Sequence, residues 1–179
     1  ERFDTKFNYI IQEAAQGNRE FEVFIVLSED NTEEPAILSI TETSNSSGER
    51  FPVNGIYNRE TSHKHITDQF GADELKMLWT YLKQIGFFRI ARYGLRADSI
   101  KALIQGDFKI VEINLFVPMP LILISDNVGK MEKLQFSLNC TWHLARITRN
   151  IPRDQPPRSV FFRNLRHAKA LKLIDVEKA

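Results

Sequence analysis

"FKIVEINLF", Phe108 to Phe116, alternates as a β-strand does, yet one of its faces changes character halfway along. Side chains two apart on a strand share a face. Phe108, Ile110, Glu112 and Asn114 therefore fall on one side, and Lys109, Val111, Ile113 and Leu115 on the other. An apolar stripe that ends in a carboxylate and an amide predicts a strand that buries its base and presents oxygens at its tip. Upstream, "FFRIARY" (87–93) alternates too, and "ADSIKALIQG" (97–106) between them offers one or two helical turns ending at Gly106. The two strands are expected to pair. Phe88, Ile90 and Arg92 share a face of the first, which sets Arg92 beside Glu112 and Asn114 where the two faces meet. Glu and Asn two apart suit a hard cation, because Mg²⁺ takes oxygen ligands and fills its shell with phosphate and water. A neighbouring Arg suits phosphate charge. The same residues also read as a Glu112–Arg92 ion pair at a sheet end with Asn114 capping a turn, and spacing alone leaves both readings open.

Outward from this pair, "EFEVFIVLS" (20–28) and "PAILSIT" (35–41) are rich in β-branched and aromatic residues. The polar "EDNTEE" between them predicts an antiparallel hairpin. "ETSNSSGERFPVNG" (42–55) reads as a turn-rich loop bending at Gly48 and Gly55. Leu75, Leu78, Trp79, Leu82 and Ile85 form a helical stripe over 73–85, with Gly86 as a C-cap. A further helix is expected over 131–149, with Leu134, Leu138, Trp142 and Ala145 on one side, stopped by Pro152, Pro156 and Pro157. "NYIIQEAA" (8–15) suggests a short strand running into a connector. The whole predicts an α+β fold, a mainly antiparallel sheet with flanking helices.

Length and composition bound the rest. The chain has 179 residues, 42% hydrophobic and 26% charged, with 13 Phe, which fits one globular domain with a real core. A net charge of +1 points away from nucleic acid as a partner. The single cysteine, Cys140, excludes an intramolecular disulfide and a multi-cysteine metal site. It suits a reducing cytoplasm and reads as core filler in its helix. No apolar run is long enough for a membrane span, and no signal-peptide pattern is visible. The opening "ERFDTKFNYIIQE" reads as a start in mid-domain, as in a fragment or a processed product.

"RYGLRADSIKALIQGDFKIVEIN" (92–114) resembles the closing segment of the ATP-grasp fold, as in D-alanine–D-alanine ligases and related carboxylate–amine ligases. There an Arg-x-Asp strand precedes a strand ending in Glu-x-Asn. The resemblance implies ATP and Mg²⁺ as cofactors, with Glu112 and Asn114 as metal ligands and Arg92 as the catalytic residue that stabilises the transferring phosphoryl group. The family's Asp falls on Gly94, so one metal ligand is missing. Asp98 is a substitute oxygen or, with Ser99, a helix N-cap. "IIQEAAQGNREFEVFIVL" (10–27) resembles the family's adenine hinge. It implies a nucleotide-binding connector of Gln12, Glu13, Ala14 and Ala15. Glu20, seven positions after Glu13, would take the ribose hydroxyls, with Glu22 on the same strand face as its rival. Where relatives carry Lys and Gly-Asp-Gly this chain has "ITETSNSSGERF" (40–51), and "LFVPMP" (115–120) replaces the small residues that often follow the Asn.

The resemblance spans about residues 8–150 and implies that 1–150 is the C-terminal part of an ATP-grasp domain. The half bearing the phosphate-binding lysine would precede residue 1. The implied activity is an ATP- and magnesium-dependent carboxylate–amine (or carboxylate–thiol) ligase, acting through an acyl phosphate on small-molecule substrates in the cytoplasm. A homo-oligomer is compatible with that activity. The alternative is a non-catalytic nucleotide-binding or protein-interaction domain that kept the fold, which Gly94 and the atypical loop favour.

Two further features stand apart. His63 and His65 in "ETSHKHITD" (60–68) alternate near Asp68, as a metal pair or as exposed loop histidines. Residues 151–179 form a basic amphipathic tail. Arg146, Arg149, Arg153, Arg158, Arg163, Arg166, Lys169 and Lys172 suit an anionic surface or partner, or a solvated helix packing Phe161, Leu165 and Leu171.

Overall fold

The computed structural model describes residues 13–31, 33–48, 54, 58–115 and 118–149. Along these run β1 (Arg19–Leu27), β2 (Pro35–Asn45), β3 (Thr61–His65), α1 (Ala72–Ile85), β4 (Ile90–Ala97), α2 (Ile100–Ile104), β5 (Lys109–Asn114) and α3 (Lys130–Arg149). Short 3₁₀ turns lie at Thr67–Gln69 and Leu121–Ile124. The strands form one five-stranded antiparallel sheet in the order β3-β2-β1-β4-β5. The fold class is therefore α+β. Among the described residues no helix is long and apolar enough to cross a membrane. The 8–12 segment, Gly55, the three prolines and the basic tail lie outside the described residues.

β1 is the central strand, and its two faces differ. Phe21, Val23, Ile25 and Leu27 are buried with Leu78, Trp79 and Leu82 of α1 and Leu103 and Ile104 around α2. Leu75 and Ile85 pack against the same cluster, so the α1 stripe reads as its spacing predicts. On the opposite face only one end is apolar. There Phe24, Val26 and Ile37 pack with Cys140, Phe136, Leu144 and Ile147 of α3. The buried Cys140 thiol is pushed up to about 11 by desolvation, which leaves it a small apolar filler.

Five expectations need correction. "ETSHKH" contains β3, and β2 continues through Asn45. β4 begins at Ile90, and Phe88 packs with the α1-side core while Ile90 packs beneath α3, so the two do not share a face. The register between β4 and β5 shifts at Gly94/Leu95. Phe108 therefore packs on the α1 side while Ile110 is 41% exposed, and no apolar stripe runs up to Glu112. Leu134, Leu138 and Trp142 of α3 are exposed; the packed stripe is Phe136, Cys140, Leu144 and Ile147. Gly86 has extended backbone (φ 173), so it ends α1 without a left-handed cap.

Which stripe of α3 is packed can be measured by denaturant unfolding. Phe136→Ala should cost about 2 kcal/mol or more, having lost its place against Phe24. Leu138→Ala, at a position 62% exposed, should stay within about 0.5 kcal/mol of wild type. The reverse order would put the wrong face of the helix on the sheet.

Candidate functional site

Cross-strand register arranges the α3-side face as rows, from apolar to polar. Ile37, Val26 and Ile90 lie under α3. The next row is Ser39, Phe24, Arg92 and Asn114, followed by His65, Thr41, Glu22, Gly94 and Glu112. Beyond it stand His63, Thr43, Glu20 and Arg96. The strands thus carry a charged patch on the same face that buries an apolar cluster under α3.

Arg92, Glu112 and Asn114 meet, as antiparallel pairing of β4 with β5 requires. Arg92 donates from one terminal nitrogen to Glu112 Oε1 at 3.3 Å and from the other to the Met119 carbonyl at 3.0 Å. Asn114 Nδ2 donates to the same Glu112 oxygen at 2.8 Å. These bonds leave Glu112 Oε2 and Asn114 Oδ1 unused, two hard oxygens of the kind Mg²⁺ takes. Glu22 completes the group from β1, with its Oε2 3.1 Å from Arg92 Nε. Glu22 is only 8% exposed. Desolvation raises its carboxyl from 4.5 to about 8, with Arg92 pulling it down and Glu112 and Glu20 pushing it further up.

The second part of the site is a cleft of about 720 Å³ lined by Ala14, Ala15, Glu20, Glu42, Asn54 and Arg96 among others. Glu20 Oε2 accepts from Asn54 Nδ2 at 3.0 Å and faces Arg96 at 3.5 Å. Arg96 also donates to the Ala15 carbonyl at 3.4 Å, tying the connector to β4. Gly17 lets that connector approach. Its φ is +122, and a Cβ there would lie 2.8 Å from the Ala97 nitrogen. Arg19 forks onto Glu42 at 2.6 and 2.9 Å on the cleft's wall. Glu13 is exposed and Ala15 half-buried, while Gln12 lies outside the described residues.

Sequence reading missed Arg96, Asn54 and the Arg19–Glu42 pair, because nothing local marks them; strand register brings Arg96, Arg19 and Glu42 to the cleft, and Asn54 reaches it from outside the strands. Asp98 stands four residues beyond Gly94, roughly 13 Å along β4 at strand rise, and its Oδ1 accepts from the Asn18 N–H at 3.2 Å. It is not beside Glu112, and Ser99 caps α2 by accepting from Ala102. The histidines are on a strand rather than a loop. His63 is buried with Nδ1 3.1 Å from Thr43 Oγ1, and desolvation lowers its pKa. His65 Nδ1 is 3.5 Å from Ser39 Oγ. Among the described residues no group of three His, Cys, Asp or Glu side chains is placed to hold a metal by itself.

The Glu22 carboxyl generates a pH signature. Between 4.5 and about 8 the folded chain keeps a proton that the unfolded chain releases, so stability falls as pH rises through that window. Glu22→Gln removes the titration. Urea unfolding across the window should show wild type losing stability relative to the variant, and parallel profiles would contradict the buried carboxyl.

No protein-family model matches the chain, and neither does any curated protein or solved structure.

Proposed function

We propose that this chain is the C-terminal half of an ATP-grasp module, and that it binds Mg²⁺·ATP for a ligase that activates a carboxylate as an acyl phosphate. The carrying observation is that one sheet face carries both groups of side chains. Arg92, Glu112 and Asn114 meet at one point, and Glu20 lines a nucleoside-sized cleft further along. Glu20 pairs with Arg96 in register and so lies four residues from Arg92, roughly 13 Å along the strands, a gap that an extended nucleoside triphosphate can bridge.

In this reading Glu20 accepts the ribose hydroxyls, and the connector around Glu13 and Ala15 lies against the base. Glu112 and Asn114 offer oxygens to Mg²⁺, which when bound neutralises charge on the phosphates. Arg92, relieved of Glu112 as a partner, turns its terminal nitrogens to the transferring phosphoryl group. A small-molecule carboxylate and an amine or thiol would react beyond that point. The chain's own contribution is position and charge. The second reading, a nucleotide-binding or interaction domain without catalysis, is favoured by one observation: β4 carries Gly94 where the resemblance expects an acid.

Calorimetric titration with Mg²⁺·ATP tests the proposal. Wild type should bind, and Glu20→Ala should weaken binding by roughly 1–3 kcal/mol, as expected for lost charged hydrogen bonds. Failure of the wild-type protein to bind ATP would reject the reading. ATP binding without ADP release, across a panel of small carboxylates supplied with hydroxylamine, would move the conclusion to the non-catalytic domain.

A further inference from the structure

Glu22 of β1 and Glu112 of β5 are both in register with Gly94 of β4, one strand to either side of it. Strands are spaced about 4.8 Å, so their backbones stand about 10 Å apart across the glycine. Their side chains close most of that gap. A Cβ on residue 94 would lie 2.8 Å from Glu112 Cγ, 3.6 Å from Glu22 Oε1 and 3.7 Å from Glu112 Cδ. The volume that any side chain at 94 would fill is the volume over which the two acids lean.

A second observation concerns Glu22 alone. More than nine-tenths of the residue is buried, and its Oε2 has no hydrogen-bond partner. Arg92 Nε is 3.1 Å away, yet that nitrogen is also without a hydrogen bond. The charges are close, but the N–H and the lone pair are not aligned. Arg92 spends its terminal nitrogens on Met119 and Glu112. Buried carboxylate oxygens are nearly always satisfied; Oε2 meets Arg92 through the ion-pair contact alone, and Oε1 is the oxygen nearest the space above Gly94. A hard cation asks less of direction than a donor N–H does.

We propose that Glu22 is a ligand for the nucleotide-bound cation, reaching it from β1 across Gly94, so that Glu22, Glu112 and Asn114 supply three hard oxygens from two strands flanking the glycine. The inference rests on the Mg²⁺·ATP reading above. Phosphate oxygens and water complete the shell, as is usual for Mg²⁺ held by one or two carboxylates. Gly94 then has a role of its own, as the floor that lets acids from either side meet.

The test uses the full-length protein with Mn²⁺ as the probe. Free Mn²⁺ is followed by electron paramagnetic resonance during titration in the presence of saturating ATP, and ATP affinity is measured separately in EDTA. Glu22→Gln and Glu112→Gln should each weaken Mn²⁺ binding by about tenfold or more, while metal-free ATP affinity stays level or improves. Glu22→Asp, which keeps the charge but retracts it, should fall between wild type and Gln and serves if Glu22→Gln fails to fold. Unchanged Mn²⁺ affinity in Glu22→Gln, with a loss in Glu112→Gln, would overturn the Glu22 assignment and leave the ATP reading intact. Equal losses of ATP affinity with and without metal would also overturn it, making Glu22 a positioning residue for Arg92. Wild type that binds no ATP would overturn both.

Discussion

Arg92 stands in a mostly buried position with an acid on each side, Glu22 from β1 and Glu112 from β5. Its third contact, the Met119 carbonyl, belongs to the chain that leaves β5. One guanidinium therefore links three strands and the segment that follows them. Burying such a group costs solvation that only its partners return, and removing one partner of a buried pair typically costs about 3–5 kcal/mol. The arrangement holds because the acids come from neighbouring strands at fixed register.

The same face must be apolar enough to seat α3 and polar enough to carry these charges. The strands meet both demands by dividing their length. Along β1 the order Val26, Phe24, Glu22, Glu20 runs from core to carboxylate, and along β4 Ile90, Arg92, Gly94, Arg96 runs from core to guanidinium. The apolar end anchors the helix, and the charged end stays accessible to the cleft beside Ala14 and Ala15. The opposite face carries no such division, since Phe21, Val23, Ile25 and Leu27 are all buried against the α1 side.

Much of this could be read from residue order, and the failures have physical causes. The α1 stripe and the β1–β2 hairpin follow from periodicity, and the β4–β5 pair from alternation across a short connector. β3 was invisible because "TSHKH" has no apolar face; its inward residues, His63 and His65, look onto hydroxyls of β2 rather than onto core. α3 carries two apolar stripes, and hydropathy cannot say which of them meets Phe24. The Arg92, Glu112 and Asn114 grouping was legible from spacing two apart. The approach of Glu22 to them was not, because it depends on β1 pairing with a strand nearly seventy residues away in the chain. The bulge that exposes Ile110 is equally a property of pairing and leaves no local mark.

The chain that leaves β5 also governs how the sheet ends. From Met119 it reaches β3 at the far edge, where Asn127 gives its side-chain amide to the His65 carbonyl and accepts the His65 N–H, each at 2.8 Å. Asp126 donates its N–H to the His63 carbonyl at 3.0 Å. Unpaired backbone groups on an outer strand are a template for an intruding strand and hence for aggregation. On β3 the outward His63 carbonyl and both His65 backbone groups are already taken. On β5 the broken register interrupts the ladder and Lys109 adds a charge at its start. Growth of the sheet by strand addition is thus opposed at both margins, by a covering amide on one and by an irregular backbone on the other.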